Sequence, residues 1–394
     1  LTKSSTRFQV SFMPHAAEWG SFMKRFILAP DSFKGTLTAP EVCEIQAAVI
    51  RKHIPDAVIH AIPMADGGEG MVESYLRILG GRRETVTVTA PLDGTVDAVF
   101  GILPDGSAVM EMAAAAGLPL VEGRKDPFHT STYGVGELLR RAEDMGIQKV
   151  LLGLGGSCTN DCGIGMAAAL GFRFLDGDGR EVEPLAINLE RIQELREPER
   201  PLQLHIAAAC DVDNPLLGPT GATYTFGPQK GAEPEILACL EAGMTHFEQV
   251  LARHYGASLA ETPGTGAAGG MGEAVLRMLG GTLKPGIELL LDAAGFDGLL
   301  LDADMVFTGE GRIDWQSAHG KVPMGVGLRC KRAGVPCVAL CGSVGQGAEA
   351  VYGCGITAVF SAVKGAVDFG EIQKTAAGDL EFLTDAVLRL LTAG

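Results

Sequence analysis

Short apolar runs in this chain repeatedly end in a glycine-containing polar loop, several of them carrying a carboxylate or a cation. Asp31-Ser-Phe-Lys34-Gly35, Asp66-Gly-Gly-Glu69-Gly70, Thr308-Gly-Glu310-Gly-Arg312-Ile-Asp314, Cys341-Gly-Ser343 and Lys364-Gly365 all stand in such places. Glycine lets the backbone approach a ligand closely, and its N–H groups can then reach anionic oxygens. Five loops of one kind on one sheet edge imply a single anion-handling site, although Asp66 to Glu69 also reads as a plain helix-capping box.

Further candidates fall in the middle of the chain. The segment GLGGSCTNDCGIG, residues 153–165, lies between an apolar run and an alanine-rich one, so Gly155, Gly156, Ser157 and Thr159 are placed to cradle phosphate oxygens at a helix start, or to form a tight turn. Cys158 and Cys162 have the spacing of a metal pair, but without further ligands they read as small buried fillers. Asp211 and Asp213, in Cys-Asp-Val-Asp-Asn214-Pro, could ligate magnesium or cap a turn. Lys230, in the loop TFGPQKG, could neutralise an anion. The segment GTGAAGGMG, residues 264–272, is either a second anion nest, or a hinge or place of close helix packing.

Composition narrows the classes. The 54 glycines in 394 residues are about 14%, roughly twice the usual ~7%, yet no collagen-like period appears. They belong to a globular chain with 46% hydrophobic and 20% charged residues. The 32 basic residues against 48 acidic ones give a net charge of −16, which argues against nucleic acid as a partner. Nine scattered cysteines, with no C-x-x-C pair, suggest reduced thiols and a cytoplasmic setting, and no uninterrupted apolar span suggests a membrane. There is no G-x-x-x-x-G-K-[ST], no protein-kinase signature set and no G-x-G-x-x-G after the first strand. The histidines form no triad-like neighbourhood; His319, the one nearest a motif, reads as a surface residue.

These residues need a frame of alternating strands and helices. Residues 24–29 read as a strand, Thr38-Ala-Pro-Glu41 as a capping box, and Val42, Ile45, Val49 and Ile50 as one helix face. A second strand, residues 57–64, and a helix with Val72, Leu76 and Leu79 in line begin a doubly wound parallel sheet. Near Glu84 the period changes to 2, with Leu-Asp-Gly and Pro-Asp-Gly turns, as in an antiparallel meander. FRFLDGDGREV reads as a hairpin, and short apolar runs at residues 304–307, 337–340 and 356–360 resume the parallel pattern. The expectation is an α/β fold: a Rossmann-like parallel-sheet domain over residues 23–83 and 285–394, interrupted by a mixed α/β domain over 84–284, with the site in the cleft between them and residues 1–22 an extension outside the fold.

In order, the segments APDSFKG, MADGGEG, GLGGSCTNDCGIG, ACDVDNPLLGPTGA, TFGPQKGA, GAAGG and TGEGRIDWQSAHGKVP resemble the bacterial glycerate kinase family of the glycerate 2-kinase type, from about Met23 to the C-terminus. Cys158 and Cys162 depart from the family pattern, where Ala or Gly is commoner. The resemblance implies phosphorylation of D-glycerate by ATP with magnesium, at the 2-hydroxyl in preference to the 3-hydroxyl; a monomer or homodimer is expected. Phosphoryl transfer needs phosphate-cradling donors, a metal held by carboxylates, positive charge on the moving group and a carboxylate near the attacking hydroxyl. On that template Asp211 orients or deprotonates the hydroxyl. Gly155, Gly156, Ser157, Thr159 and Lys321 bind ATP phosphates, and Lys34 or Lys321 meets the transferring phosphoryl. Asp66, also counted among the catalytic residues, and Glu310 hold magnesium through water, while Asn214, Lys230 and Arg312 take the glycerate carboxylate. A phosphatase, an isomerase or a non-catalytic anion receptor could use the same loops.

Overall fold

The structure is a computed structural model describing residues 24–64, 70–318, 321–365 and 368–393. The expected roles of Asp66 and His319 therefore lie outside the described residues. The chain divides into two compact units, the first comprising residues up to Met64 and from Phe296 onward, the second residues 65–295. The division falls before the change of period near Glu84. The physical reason lies in the helix Met71–Leu79: its first turn is capped by the Glu111 carboxylate, which accepts from Gly70 N (2.9 Å) and Val72 N (3.3 Å), and this ties it to the second unit.

The first unit holds the strands β1 (Arg25–Pro30), β2 (Val58–Ala61), β11 (Met305–Gly309), β13 (Cys337–Cys341) and β15 (Ala358–Ser361), all parallel, in the order β15-β13-β11-β1-β2. Parallel neighbours require crossover helices, and the sequence supplies well-terminated ones. Thr38 and Glu41 form the expected reciprocal cap of the helix Ala39–His53, worth roughly 1 kcal/mol. On one sheet face Phe26, Leu28 and Phe307 pack with Val42 and Ile50 of that helix and Leu380 and Leu388 of the helix Phe369–Thr392. Alternation turns Ile27 and Val306 to the other face, and the helix Val322–Ala333 packs on β11 and β13. The strand order reverses between β1 and β11, which is where doubly wound sheets receive ligands.

The second unit holds β3 (Arg82–Thr89), β4 (Thr95–Ile102), β5 (Ala108–Glu111), β6 (Lys149–Gly153), β9 (His205–Ala209) and β10 (Thr282–Lys284), ordered β10-β9-β6-β5-β4-β3. The meander β3–β4–β5 is antiparallel and the remaining pairs are parallel, giving a mixed sheet. The segment FRFLDGDGREV folds back on itself around the antiparallel Leu175–Glu181 bridge, with Asp176 N donating to Arg180 O (2.9 Å) and Val182 N to Phe174 O (2.8 Å), and β7 (Arg173–Leu175) also pairs with β8 (Glu194–Arg196). Two-residue strands, β12 (Arg312–Ile313) and β14 (Ser343–Val344), pair in the first unit. Among the described residues no helix is long and apolar enough to cross a membrane.

Candidate active site

Each unit carries a cavity at the carboxyl ends of its strands. In the second unit a cavity of about 340 Å³ is lined by the loops after β6 and β9, by Phe226, Gln229 and Lys230, and by Ala267 and Ala268. Gly155, Gly156 and Ser157 form its first wall. Among the described residues the backbone N–H groups of these three have no hydrogen-bond acceptor, while the carbonyl of Gly156 accepts from Leu118 N (2.9 Å) and Cys158 N is held by Ala116 O (2.9 Å). The loop is thus anchored by its other groups and leaves three adjacent donors unspent, an anion-binding arrangement.

Lys230 lines the same cavity although it is only 2% exposed. Its Nζ donates to Thr159 O (2.6 Å), and desolvation pulls its pKa down from 10.5 to about 8. Beneath it Asp161, fully buried, accepts from Thr132 N (2.9 Å), Thr132 Oγ1 (2.7 Å), Gly163 N (3.1 Å) and Gly165 N (3.3 Å). Burial pushes this carboxyl upward and the four donors oppose the shift. Asp211 follows β9, is exposed, and lines the cavity; its Oδ1 accepts from Gly286 N (2.8 Å) at the start of the helix Gly286–Ala293.

The segment at residues 264–272 makes the close contact that its glycines suggested. Gly269 has φ +71°, and a Cβ there would stand 2.2 Å from Thr159 O. Cys162 N donates to Gly269 O (3.0 Å), and Cys162 and Ala268 themselves take positive φ, 52° and 55°. Strain of this kind persists only where surrounding packing imposes it, and here it lies beside the cavity. Cys158 and Cys162 are buried fillers, with burial raising the Cys158 thiol to about 12. All nine cysteines are free, and no metal-ligating cluster of three or more side chains occurs among the described residues.

The first unit's cavity, about 460 Å³, opens at the β1/β11 reversal. Lys34 and Thr36 reach it from the loop after β1, Glu310, Arg312 and Asp314 from the loop after β11, Lys321 from the start of the next helix, and Ser343 from β14. Glu310 is buried; its Oε1 accepts from Ser317 Oγ, its Oε2 lies 3.7 Å from Lys321 Nζ, and burial raises its pKa against both partners. Arg312 Nε is 3.6 Å from Asp314 Oδ2. Three cations and two carboxylates therefore share one polar chamber.

This grouping changes several expectations. Arg312 stands with Lys34, Glu310 and Lys321 in the first unit's cavity, whereas Lys230 lines that of the second. Thr159 is fully buried and lines neither cavity; its carbonyl orients Lys230. Asn214 lines neither, and its Nδ2 donates to Thr220 O (2.7 Å), bracing the loop. Asp213 is exposed and outside the lining. Asp314, Phe369 and Ile372 line the first unit's cavity without having been singled out as site residues, and buried Asp161 supports the second unit's cavity from beneath. Asp161 and Asp314 sit inside motifs already singled out, so their signal was at hand; Phe369 carried only its position shortly after Lys364-Gly365.

The sequence profile of the Glycerate kinase family matches residues 26–392. The chain is 45% identical over 349 residues to a glycerate kinase of Halalkalibacterium halodurans, covering 86% of this chain and 91% of that protein. It is 41% identical to the glycerate 2-kinase of Escherichia coli K12, over 86% of this chain and 90% of the other. A crystal structure from Salmonella typhimurium LT2, provisionally named glycerate kinase 2, superposes with a TM-score of 0.81 at 40% identity, covering 94% of this chain and 99% of that one.

Proposed function

The chain belongs to the glycerate kinase family, and from that premise we propose that it transfers the γ-phosphoryl group of ATP to the 2-hydroxyl of D-glycerate, releasing 2-phosphoglycerate and ADP. The observation that carries this reading is the second unit's cavity. It combines a carboxylate at a strand end, Asp211, with a buried ammonium, Lys230, and the unspent N–H donors of Gly155, Gly156 and Ser157. A hydroxy acid needs both kinds of group: donors for its carboxylate and a carboxylate for its hydroxyl proton.

In this reading Lys230 holds the glycerate carboxylate and the Gly155–Gly156–Ser157 backbone receives phosphoryl oxygens. Asp211, its orientation fixed by the Gly286 N–H, takes the hydroxyl proton as the oxygen–phosphorus bond forms. The bond from the γ-phosphorus to the bridging oxygen breaks, and ADP leaves with its electron pair. Lys34, Arg312 and Lys321 neutralise nucleotide phosphates in the first unit's cavity. Glu310 and Asp314 suit magnesium carried by a nucleotide, because that ion needs only one or two carboxylates, often through water, when phosphates supply the rest. Bound there, it would screen the charge that develops on the phosphate oxygens.

Phosphorus NMR of the product made from D-glycerate and ATP tests the reading. The expected result is ADP with a 2-phosphoglycerate resonance; a 3-phosphoglycerate resonance refutes the regiochemistry, and free phosphate without a phosphoglycerate refutes the transfer.

A further inference from the structure

We propose that Phe369, with Val363 and Ile372 beside it, forms a nucleobase platform in the first unit's cavity. The inference deepens the reading of this protein as an ATP-dependent kinase and rests on it.

Phe369 is the first residue of the helix Phe369–Thr392 and lines the cavity together with Val363, Ile372 and the three cations Lys34, Arg312 and Lys321. Phe369 is 55% exposed although it has apolar neighbours in the cavity wall. The ring is nevertheless held in place. Asp368 caps the helix by accepting from Glu371 N (3.0 Å), which fixes where the first turn begins. Gln373 Nε2 then donates to Gly35 O (2.9 Å), docking that turn on the loop after β1. Gly35 takes φ +81°, and a Cβ there would lie 2.9 Å from Phe369 Cζ, so the absence of a side chain makes room for the ring. The result is a positioned aromatic face, open on one side.

A planar heteroaromatic ring is the complement to such a face. The same chamber holds three cations against the two carboxylates Glu310 and Asp314, which suits the phosphates attached to that ring. Its volume, about 460 Å³, lies within the ~300–1,000 Å³ of small-molecule sites and is far larger than a three-carbon acid requires. Its place at the β1/β11 reversal is where doubly wound sheets take nucleotides. Stacking is available to every base, so the platform supplies affinity for the base end independently of the phosphate contacts.

Calorimetric titration of the full chain with ADP, and separately with pyrophosphate, in the presence of magnesium tests this, using wild type, Phe369→Ala and Phe369→Trp. Phe369→Ala is expected to weaken ADP binding by roughly 10- to 100-fold, to leave pyrophosphate binding and the KM for glycerate unchanged, and Phe369→Trp to retain ADP affinity. Undiminished ADP affinity in Phe369→Ala, or an equal loss for pyrophosphate, overturns the platform while leaving glycerate phosphorylation standing. A wild type that binds no ADP and turns over no glycerate overturns the parent reading and the platform with it.

Discussion

Replacing Lys230 by Met separates the stability contribution of one buried cation from the glycerate-binding role proposed for it. The ammonium is 2% exposed and its pKa falls from 10.5 to about 8, so burying its charge costs about 3 kcal/mol at ~1.4 kcal/mol per tenfold shift. Met fills a similar volume without that cost, but leaves Thr159 O without its 2.6 Å donor, a loss of ~1–3 kcal/mol. The two contributions nearly cancel, so Lys230→Met is expected to stay folded with a urea midpoint close to that of wild type. Binding should respond differently. A unit charge about 4 Å from a carboxylate at an effective dielectric near 20 is worth up to ~4 kcal/mol, and allowing for desolvation the KM for glycerate should rise by roughly 30- to 1,000-fold with the KM for ATP little changed.

The pH dependence carries the same signature. Lys230 has a depressed pKa when folded, so the unfolded chain holds more protons between about pH 8 and 10.5, and stability rises with pH across that window. The binding charge is lost over the same range: kcat/KM for glycerate should fall about tenfold per unit above pH 8 in wild type and lose that limb in Lys230→Met. Steady-state kinetics from pH 6.5 to 9.5 with parallel urea titrations measure both. An unchanged KM for glycerate, or an equal or larger rise in the KM for ATP, refutes the placement of Lys230 on the acid substrate.

Two further substitutions probe the same cavity. Asp211→Asn keeps an oxygen to accept from Gly286 N, so the melting temperature should hold while kcat falls by about 10²- to 10⁴-fold; unchanged kcat removes Asp211 from the proton transfer. Gly269→Ala would put a Cβ 2.2 Å from Thr159 O at φ +71°, so a destabilisation of ~2–4 kcal/mol in urea unfolding is expected, and a neutral result would show that the two loops are not tightly packed.

The sequence by itself determined the local rules of this protein. Apolar runs at strand spacing and the capping box at Thr38–Glu41 announced the parallel strands and their first crossover helix, because a helix start is written in neighbouring residues. The change to period 2 after Glu84 disclosed the meander for the same reason: alternation across a pleated strand is a local property. Ordered motifs also placed Lys34, Gly155, Asp211, Lys230 and Glu310 among the candidate residues, and each lines one of the two cavities.

Which of them share a chamber was decided by strand order and burial, which no local pattern encodes. Lys230 is legible in the chain as a cation in a polar loop, but only the fold takes it out of water and hands it the Thr159 carbonyl. Thr159 lies two residues from Ser157, yet the left-handed turn at Gly269 presses on its carbonyl and buries it away from the cavity that Ser157 lines. Phe369 is more than 330 residues from Gly35 along the chain, and the glycine that makes room for its ring has meaning only once β1 and the last helix pack together. The glycines thus fall into two kinds: those in loops at the strand ends, which the sequence announces, and those that give steric clearance between distant segments, which depend on contacts made only in the folded chain.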